Sequence, residues 1–121
     1  KGIQSGVYKF LAHPDLFMGA WKEWDNEAKA CLTALLEAAV DANLPVEING
    51  LGMTRTKIQT KNGIRFQYPY DEFWQMVADS KAKVICNSDA HNPKNVIADA
   101  RLAREYAKRF GITPSLFRKQ N

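Results

Sequence analysis

Two histidines and an aspartate carry the metal-ligand chemistry in this sequence. Asp89 and His91 are two residues apart, so in extended backbone both side chains project to the same side. A carboxylate oxygen with an imidazole nitrogen suits zinc, manganese or iron, whereas magnesium and calcium favour oxygen ligands alone. The spacing therefore predicts a divalent-metal site. The alternative is a turn in which Asp89 bonds nearby backbone ahead of a helix cap at Asn92.

The other histidine, His13, lies where a short apolar segment ends. Residues 8–15 predict a buried strand, and Pro14 favours extended backbone at His13. The metal-ligand pair likewise follows a β-rich run at 83–86. Because α/β folds gather active-site groups at the carboxyl ends of strands, we predict that His13 joins that pair. A solitary core or surface histidine is the alternative.

Three predicted helices help to position these residues. Apolar side chains recur at helical spacing in three stretches, and capping residues, prolines and glycines mark the ends. The predicted helices run from Asp25 or Asn26 to Asn43, from a capping Asp71 through Ala78, and from an N-cap Asn92, with Pro93 in the first turn, to Gly111.

Strand signals separate these helices. Residues 46–49 form a predicted strand that ends at Gly50, and Asn62 with Gly63 predicts a hairpin between 57–60 and 64–68. The order strand, helix, strand, hairpin, helix, strand, helix predicts an α/β fold with parallel strands and helical crossovers. Since three such strands cannot close a barrel, we interpret them as a piece of one. Residues 1–121 are one domain or part of one.

The composition is typical of a globular protein, with 45% hydrophobic and 25% charged residues. No run approaches the ~20 apolar residues of a membrane span, and no signal-peptide layout begins the sequence, so we expect a cytoplasmic protein without a membrane partner.

Cys31 and Cys86 are predicted to be reduced thiols in the core. The net charge is +4, but no run of five basic residues occurs, so a phosphorylated small molecule fits as well as nucleic acid.

Three ordered motifs resemble the later motifs of the polymerase and histidinol phosphatase (PHP) family, and most of all its histidinol-phosphatases. They are Phe-Leu-Ala-His-Pro-Asp-Leu at 10–16, Glu-Ile-Asn at 47–49 and Ser-Asp-Ala-His at 88–91, and the match covers nearly the whole chain. The resemblance implies a distorted (β/α)7 barrel, similar to a TIM barrel, of which residues 1–121 would be the C-terminal portion. It also implies a cluster of two or three metal ions at the strand ends.

The resemblance further implies hydrolysis of a phosphate monoester such as L-histidinol phosphate, a step of histidine biosynthesis. His13, Asp89 and His91 would be metal ligands, and water activated by the metals would attack phosphorus. The family's other ligands lie upstream, and this chain has two histidines. We therefore expect the chain alone to bind metal weakly, to have little or no activity, and to need the N-terminal half of the same domain as its partner.

Other polar residues near these motifs are candidate substrate groups. Arg55 ends the glycine-bearing loop after the second motif and is the candidate for holding the substrate phosphate; the alternative is a solvated hairpin residue. Glu47 and Asn49 share one strand face and could contact substrate or support the ligands, although an outward-facing Glu is the commoner explanation. Neither is predicted to be catalytic.

Two other functions stay open at this point. One is a PHP phosphoesterase that acts on nucleotides or DNA ends, for which strong salt-dependent DNA binding is expected. The other is a non-catalytic PHP-like module in which His13 and Asp89 are structural remnants. Tight metal binding would count against the second.

Overall fold

The computed structural model describes residues 10–21, 23–61, 63–88 and 93–115, and this part of the chain is mixed α/β. No helix in these ranges is long and apolar enough to cross a membrane. The helices are α1 (Asn26–Asp41), α2 (Asp71–Ala78) and α3 (Val96–Arg109), with 3-10 turns at Leu16–Gly19, Gly50–Thr54 and Pro93–Asn95. The strands are β1 (Val46–Asn49), β2 (Ile58–Thr60), β3 (Gly63–Arg65) and β4 (Val84–Asn87).

Strand β1 is the centre of a small parallel sheet. On one edge it pairs with β4, in a register that places Asn49 beside Asn87. On the other edge Leu11 forms a parallel bridge with Val46, and the N–H of Glu47 donates to the carbonyl of Leu11 at 3.0 Å. Three parallel segments therefore end at the same side of the fold. The α/β prediction is confirmed, and the described strands form two open two-stranded sheets.

The core lies around β1. All four residues of β1 are buried, α3 packs on β1 and β4, and α1 packs against α2. Burial of large apolar side chains in such a cluster is the main stabilising contribution to the fold. The largest fully buried apolar side chains are Trp74, Phe73, Met18, Leu32, Ile48, Val46 and Val77.

The first predicted helix start is confirmed and the second needs correction. The side chain of Asp25 accepts a hydrogen bond from the N–H of Ala28 at 2.8 Å, which caps α1. At α2 the N-cap is Tyr70, whose side chain forms no capping hydrogen bond. Asp71 is instead the first helical residue, and its Oδ1 accepts from the hydroxyl of Tyr106 at 2.7 Å. Asp71 therefore links α2 to α3.

The third helix begins later than predicted. A 3-10 turn at Pro93–Asn95 precedes α3, for which Asn95 is the N-cap; Asn92 lies outside the described residues. The predicted end is confirmed, since Gly111 follows the helix with φ of 71°, a left-handed backbone that glycine adopts readily.

The hairpin between β1 and α2 is shorter than predicted. Strands β2 and β3 are antiparallel, with Thr60 beside Gly63, and β3 ends at Arg65. Gly63 has φ of 118°, which suits the turn, while Asn62 lies outside the described residues. The prediction of an antiparallel hairpin here is confirmed.

The prediction of a core position for Cys31 is wrong. Its side chain is exposed on α1, whereas Cys86 is half-buried in β4, and both thiols are free. The neighbouring Leu32 occupies the core-facing position, and one residue along a helix turns the side chain by about 100°. The apolar composition of this stretch therefore does not show that Cys31 lies on the outer face of the helix.

Glycine is required in the turn that follows β1. A Cβ at Gly50 would overlap the backbone carbonyl of Asp99 in α3, and one at Gly52 would overlap the ring of Tyr68. The turn Gly50–Thr54 thus packs backbone to backbone against α3. This close approach fixes the path of the chain immediately after the end of β1.

Candidate functional site

His13 lies at the carboxyl end of the segment that bridges to β1. Its backbone N–H donates to Oε1 of Glu47 at 3.0 Å, and its carbonyl accepts from the N–H of Leu16 at 3.0 Å. Its φ is 23°, an uncommon positive value for a residue with a side chain, so the extended backbone predicted from Pro14 is wrong. The two hydrogen bonds hold this unusual conformation in place.

The imidazole of His13 is half-buried. It packs beside Tyr68 with ring centroids 5.9 Å apart and the rings tilted by 48°. In the part of the chain that the structure describes, neither imidazole nitrogen forms a hydrogen bond. The ring of His13 therefore has a fixed neighbour on one face.

Glu47 is buried, and the outward-facing position expected for it is wrong. Its side chain is 2% exposed, and Oε1 also accepts from Nδ2 of Asn49 at 3.2 Å. Its Oε2 accepts from Nδ2 of Asn87 at 3.1 Å. All four residues of β1 are buried, so both faces of this strand are covered and alternation along it does not bring the carboxylate to solvent.

Asn87 ends β4 and continues this network towards the predicted ligand pair. Its Oδ1 accepts from the N–H of Ser88 at 2.9 Å, and Ser88 is buried. Asp89 is the next residue in the sequence, but Asp89 and His91 lie outside the described residues. We call His13, Glu47, Asn49 and Asn87 the strand-end cluster.

The strand-end cluster by itself does not supply a full set of metal ligands. Within residues 10–21, 23–61, 63–88 and 93–115, no three His, Cys, Asp or Glu side chains are grouped so as to hold a metal ion. What the structure brings together is His13 and the end of β4, with the buried Glu47 between them.

Asp15 is a buried carboxylate that the sequence did not single out. Its Oδ2 accepts from the N–H of Tyr70 at 2.6 Å and from the indole N–H of Trp74 at 2.9 Å. Loss of hydration on burial raises its pKa to about 6, although these hydrogen bonds act in the opposite direction. Asp15 therefore anchors the turn after His13 to the start of α2. The cue in the sequence was its place directly after His13 and Pro14.

Arg55, the predicted phosphate-binding residue, is exposed directly after the turn Gly50–Thr54. It forms no ion pair with any residue that the structure describes. An exposed position here fits both a phosphate-binding residue and a solvated hairpin residue.

A different arginine, Arg65, ties the hairpin to the turn after His13. Its guanidinium donates to the carbonyl of Met18 at 2.8 Å and to that of Trp21 at 3.2 Å. The same group lies 4.7 Å from the ring centroid of Tyr70. Because its donors are directed at backbone carbonyls, Arg65 stabilises the loops rather than offering a free cation to an anionic substrate.

A groove on the described surface lies apart from the strand-end cluster. It has a volume of about 1000 Å³ and lies between the hairpin and the start of α2. Charges along it face one another: Lys61 lies 2.8 Å from Glu23, and Arg109 lies 3.4 Å from Asp71. Charged side chains of both signs line this groove, so it has no clear preference for a ligand of either sign.

In comparisons with known proteins, no protein-family model, no curated protein and no solved structure matches this chain. The three motifs of the sequence and the geometry of the strand-end cluster are therefore what supports an assignment of function.

Proposed function

We propose that this chain is the C-terminal part of a metal-dependent phosphomonoesterase of the PHP family, most similar to a histidinol-phosphatase. The reaction is hydrolysis of L-histidinol phosphate to L-histidinol and phosphate. One observation carries the proposal: His13 and the residues directly before Asp89 meet at the buried Glu47, where parallel strands end. This edge is where α/β enzymes place their reactive groups.

The proposed metal ligands are His13, Asp89 and His91. The fit is supported at His13, whose half-buried imidazole forms no hydrogen bond within the described part of the chain. The donor set of two imidazoles and a carboxylate suits zinc, manganese or iron. When bound, the metals would supply an activated water and offset negative charge on the phosphoryl oxygens. The chain itself fixes the orientation of His13 through its backbone hydrogen bonds.

The complete domain in this proposal is a distorted (β/α)7 barrel that holds two or three metal ions. The parallel arrangement of the Leu11 segment, β1 and β4 is compatible with one sector of such a barrel. The remaining strands and ligands would come from upstream sequence. For this reason we expect weak metal binding and little or no turnover from the 121-residue chain alone.

The test compares this chain with a version extended upstream. Elemental analysis measures metal content, and phosphate release from L-histidinol phosphate measures turnover. The proposal predicts two or three metals and turnover for the extended protein only. If the extended protein binds no metal, the catalytic proposal falls and a structural role replaces it. If it holds metal but instead cleaves nucleotides or DNA ends, the family assignment stands and the substrate is corrected.

A further inference from the structure

We infer that Glu47 is a positioning residue, which sets the placement of His13 relative to the segment that carries Asp89 and His91. This inference deepens the proposed function and rests on it. Its starting point is a carboxylate that is 2% exposed on a central strand. Burying a charged group is unfavourable unless hydrogen bonds replace its hydration. The chain provides three such bonds to Glu47, and two of them reach other segments of the chain.

The first of these bonds acts on the backbone of His13. Oε1 of Glu47 accepts the N–H of a residue whose φ is 23°. Positive φ at a residue with a side chain is unfavourable and persists where surrounding contacts determine it. The carbonyl of His13 accepts from the N–H of Leu16, so the backbone is held on both sides of this residue. The attachment point of the imidazole is thereby fixed.

The second bond acts on the end of β4. Oε2 of Glu47 accepts from Nδ2 of Asn87, while Oδ1 of Asn87 accepts from the N–H of Ser88. The amide of Asn87 is therefore held in one orientation, because rotating it by 180° would turn a donor towards Ser88 and an acceptor towards Glu47. Ser88 directly precedes Asp89 in the sequence. One side chain thus connects the two segments that carry the proposed ligands.

This geometry requires an acceptor at both oxygens of residue 47. In E47Q one carboxylate oxygen is replaced by an amide NH2 group, which donates and cannot accept. This group would face either Nδ2 of Asn87 or the donors of His13 (backbone N–H) and Asn49 (Nδ2), so two donors would meet in each case. Changing Asn87 to Asp in the same protein restores the pairing, since the amide at position 47 can then donate to a carboxylate at position 87. The N–H of Ser88 keeps its acceptor in that double variant.

The test is a cycle of E47Q, N87D and E47Q/N87D in the 121-residue chain, with Zn²⁺ and Mn²⁺ as separate probes. We expect each single variant to bind the metal at least about 10-fold more weakly, as is common when a residue that supports a ligand is changed. The double variant should recover most of the affinity. E37Q, at an exposed glutamate of α1, is the matched control and should bind as the wild type does.

A metal-free measurement accompanies the cycle. Amide exchange followed by NMR should show loss of protection at Ser88 in E47Q and its return in E47Q/N87D.

Wild-type metal affinity in E47Q, or a double variant that binds metal as weakly as E47Q, would overturn the inference. If the wild type binds neither metal even when extended upstream, the proposed function fails, and the exchange data alone decide whether Glu47 positions the two segments. If E47Q does not fold, N87A leaves the bonds of Glu47 to His13 and Asn49 in place, removes both hydrogen bonds of the Asn87 amide, and should still weaken metal binding.

Discussion

The carboxylate of Asp15 and the indole of Trp74 are joined by a hydrogen bond of 2.9 Å in the interior of the protein. Both side chains are fully buried, and the bond connects the turn after His13 to the middle of α2. The same oxygen of Asp15 also accepts the N–H of Tyr70. The position of His13 therefore depends on a helix more than fifty residues away in the sequence.

Removing the Asp15 acceptor should destabilise the fold. In D15A the N–H groups of Tyr70 and Trp74 are left buried without a partner, and each such group costs about 1–3 kcal/mol. We expect D15N to cost less, because it keeps one acceptor oxygen and removes a buried charge. Urea unfolding followed by tryptophan fluorescence measures the difference. A D15A protein as stable as D41A, a control at an exposed aspartate, would show that these bonds contribute nothing.

A methyl group at Gly50 should disturb the turn after β1. In G50A the new Cβ overlaps the carbonyl of Asp99, and the helix backbone cannot move aside as a flexible side chain could. Overpacking of this kind costs about 1–3 kcal/mol or more. G19A is the control, since its Cβ would meet only the side chain of Gln67 at 3.4 Å. The expected result is a clearly lower melting temperature for G50A than for G19A, and equal values would contradict the close packing.

The residues around β1 show what could be predicted from the sequence and what could not. Periodicity located the strand at 46–49 and the helix that precedes it, because both signals are local. Sequence spacing does not predict the buried position of Glu47, since its carboxylate is enclosed by contacts with the His13 segment and the end of β4. Sequence spacing carries no information about such partners. The bond from Asp15 to Trp74 was missed for the same reason.

Helix ends show a second limit of sequence patterns. Asp25 bonds its own helix three residues on, which agrees with the predicted helix start at Asp25 or Asn26. Asp71 has the same residue type in a similar setting, yet its carboxylate is directed at Tyr106 in α3. A capping residue and a residue that bonds another helix are therefore indistinguishable until the tertiary contacts are known.

The hydrogen bond between Tyr106 and Asp71 should contribute measurably to stability. The ring of Tyr106 is 2% exposed, burial raises the pKa of its hydroxyl, and the hydroxyl donates to a carboxylate at 2.7 Å. A hydrogen bond to a charged group contributes about 1.5–3 kcal/mol, and the partial exposure of Asp71 places the expected loss in Y106F at the lower end. Thermal and urea unfolding measure it. K61A removes only the exposed ion pair with Glu23 and should leave stability unchanged; an equal effect of the two substitutions would refute the assignment.

The two cysteines should differ in reactivity. Cys31 is exposed, whereas burial raises the pKa of Cys86 to about 11, so little thiolate forms there near neutral pH. At pH 8 we expect iodoacetamide to modify Cys31 first and Cys86 far more slowly. Mass spectrometry of the native protein follows each site, and C31S should leave only the slow reaction. Urea should remove the difference, and equal rates in the native protein would contradict the burial of Cys86.

Divalent metal should stabilise the chain through His13 and Asp89. A ligand that binds only the folded state adds stability that grows with its excess, about 2.7 kcal/mol at a concentration 100 times its Kd. We expect Zn²⁺ or Mn²⁺ to raise the melting temperature of the wild type and EDTA to reverse the change. H13N is the substitution to use at position 13, because asparagine tolerates the positive φ of His13 and the change removes the imidazole. H13N and D89N should respond little to metal, and E37Q should respond fully. A full response of both H13N and D89N would place the metal elsewhere in the chain and remove the main support for the proposed phosphatase.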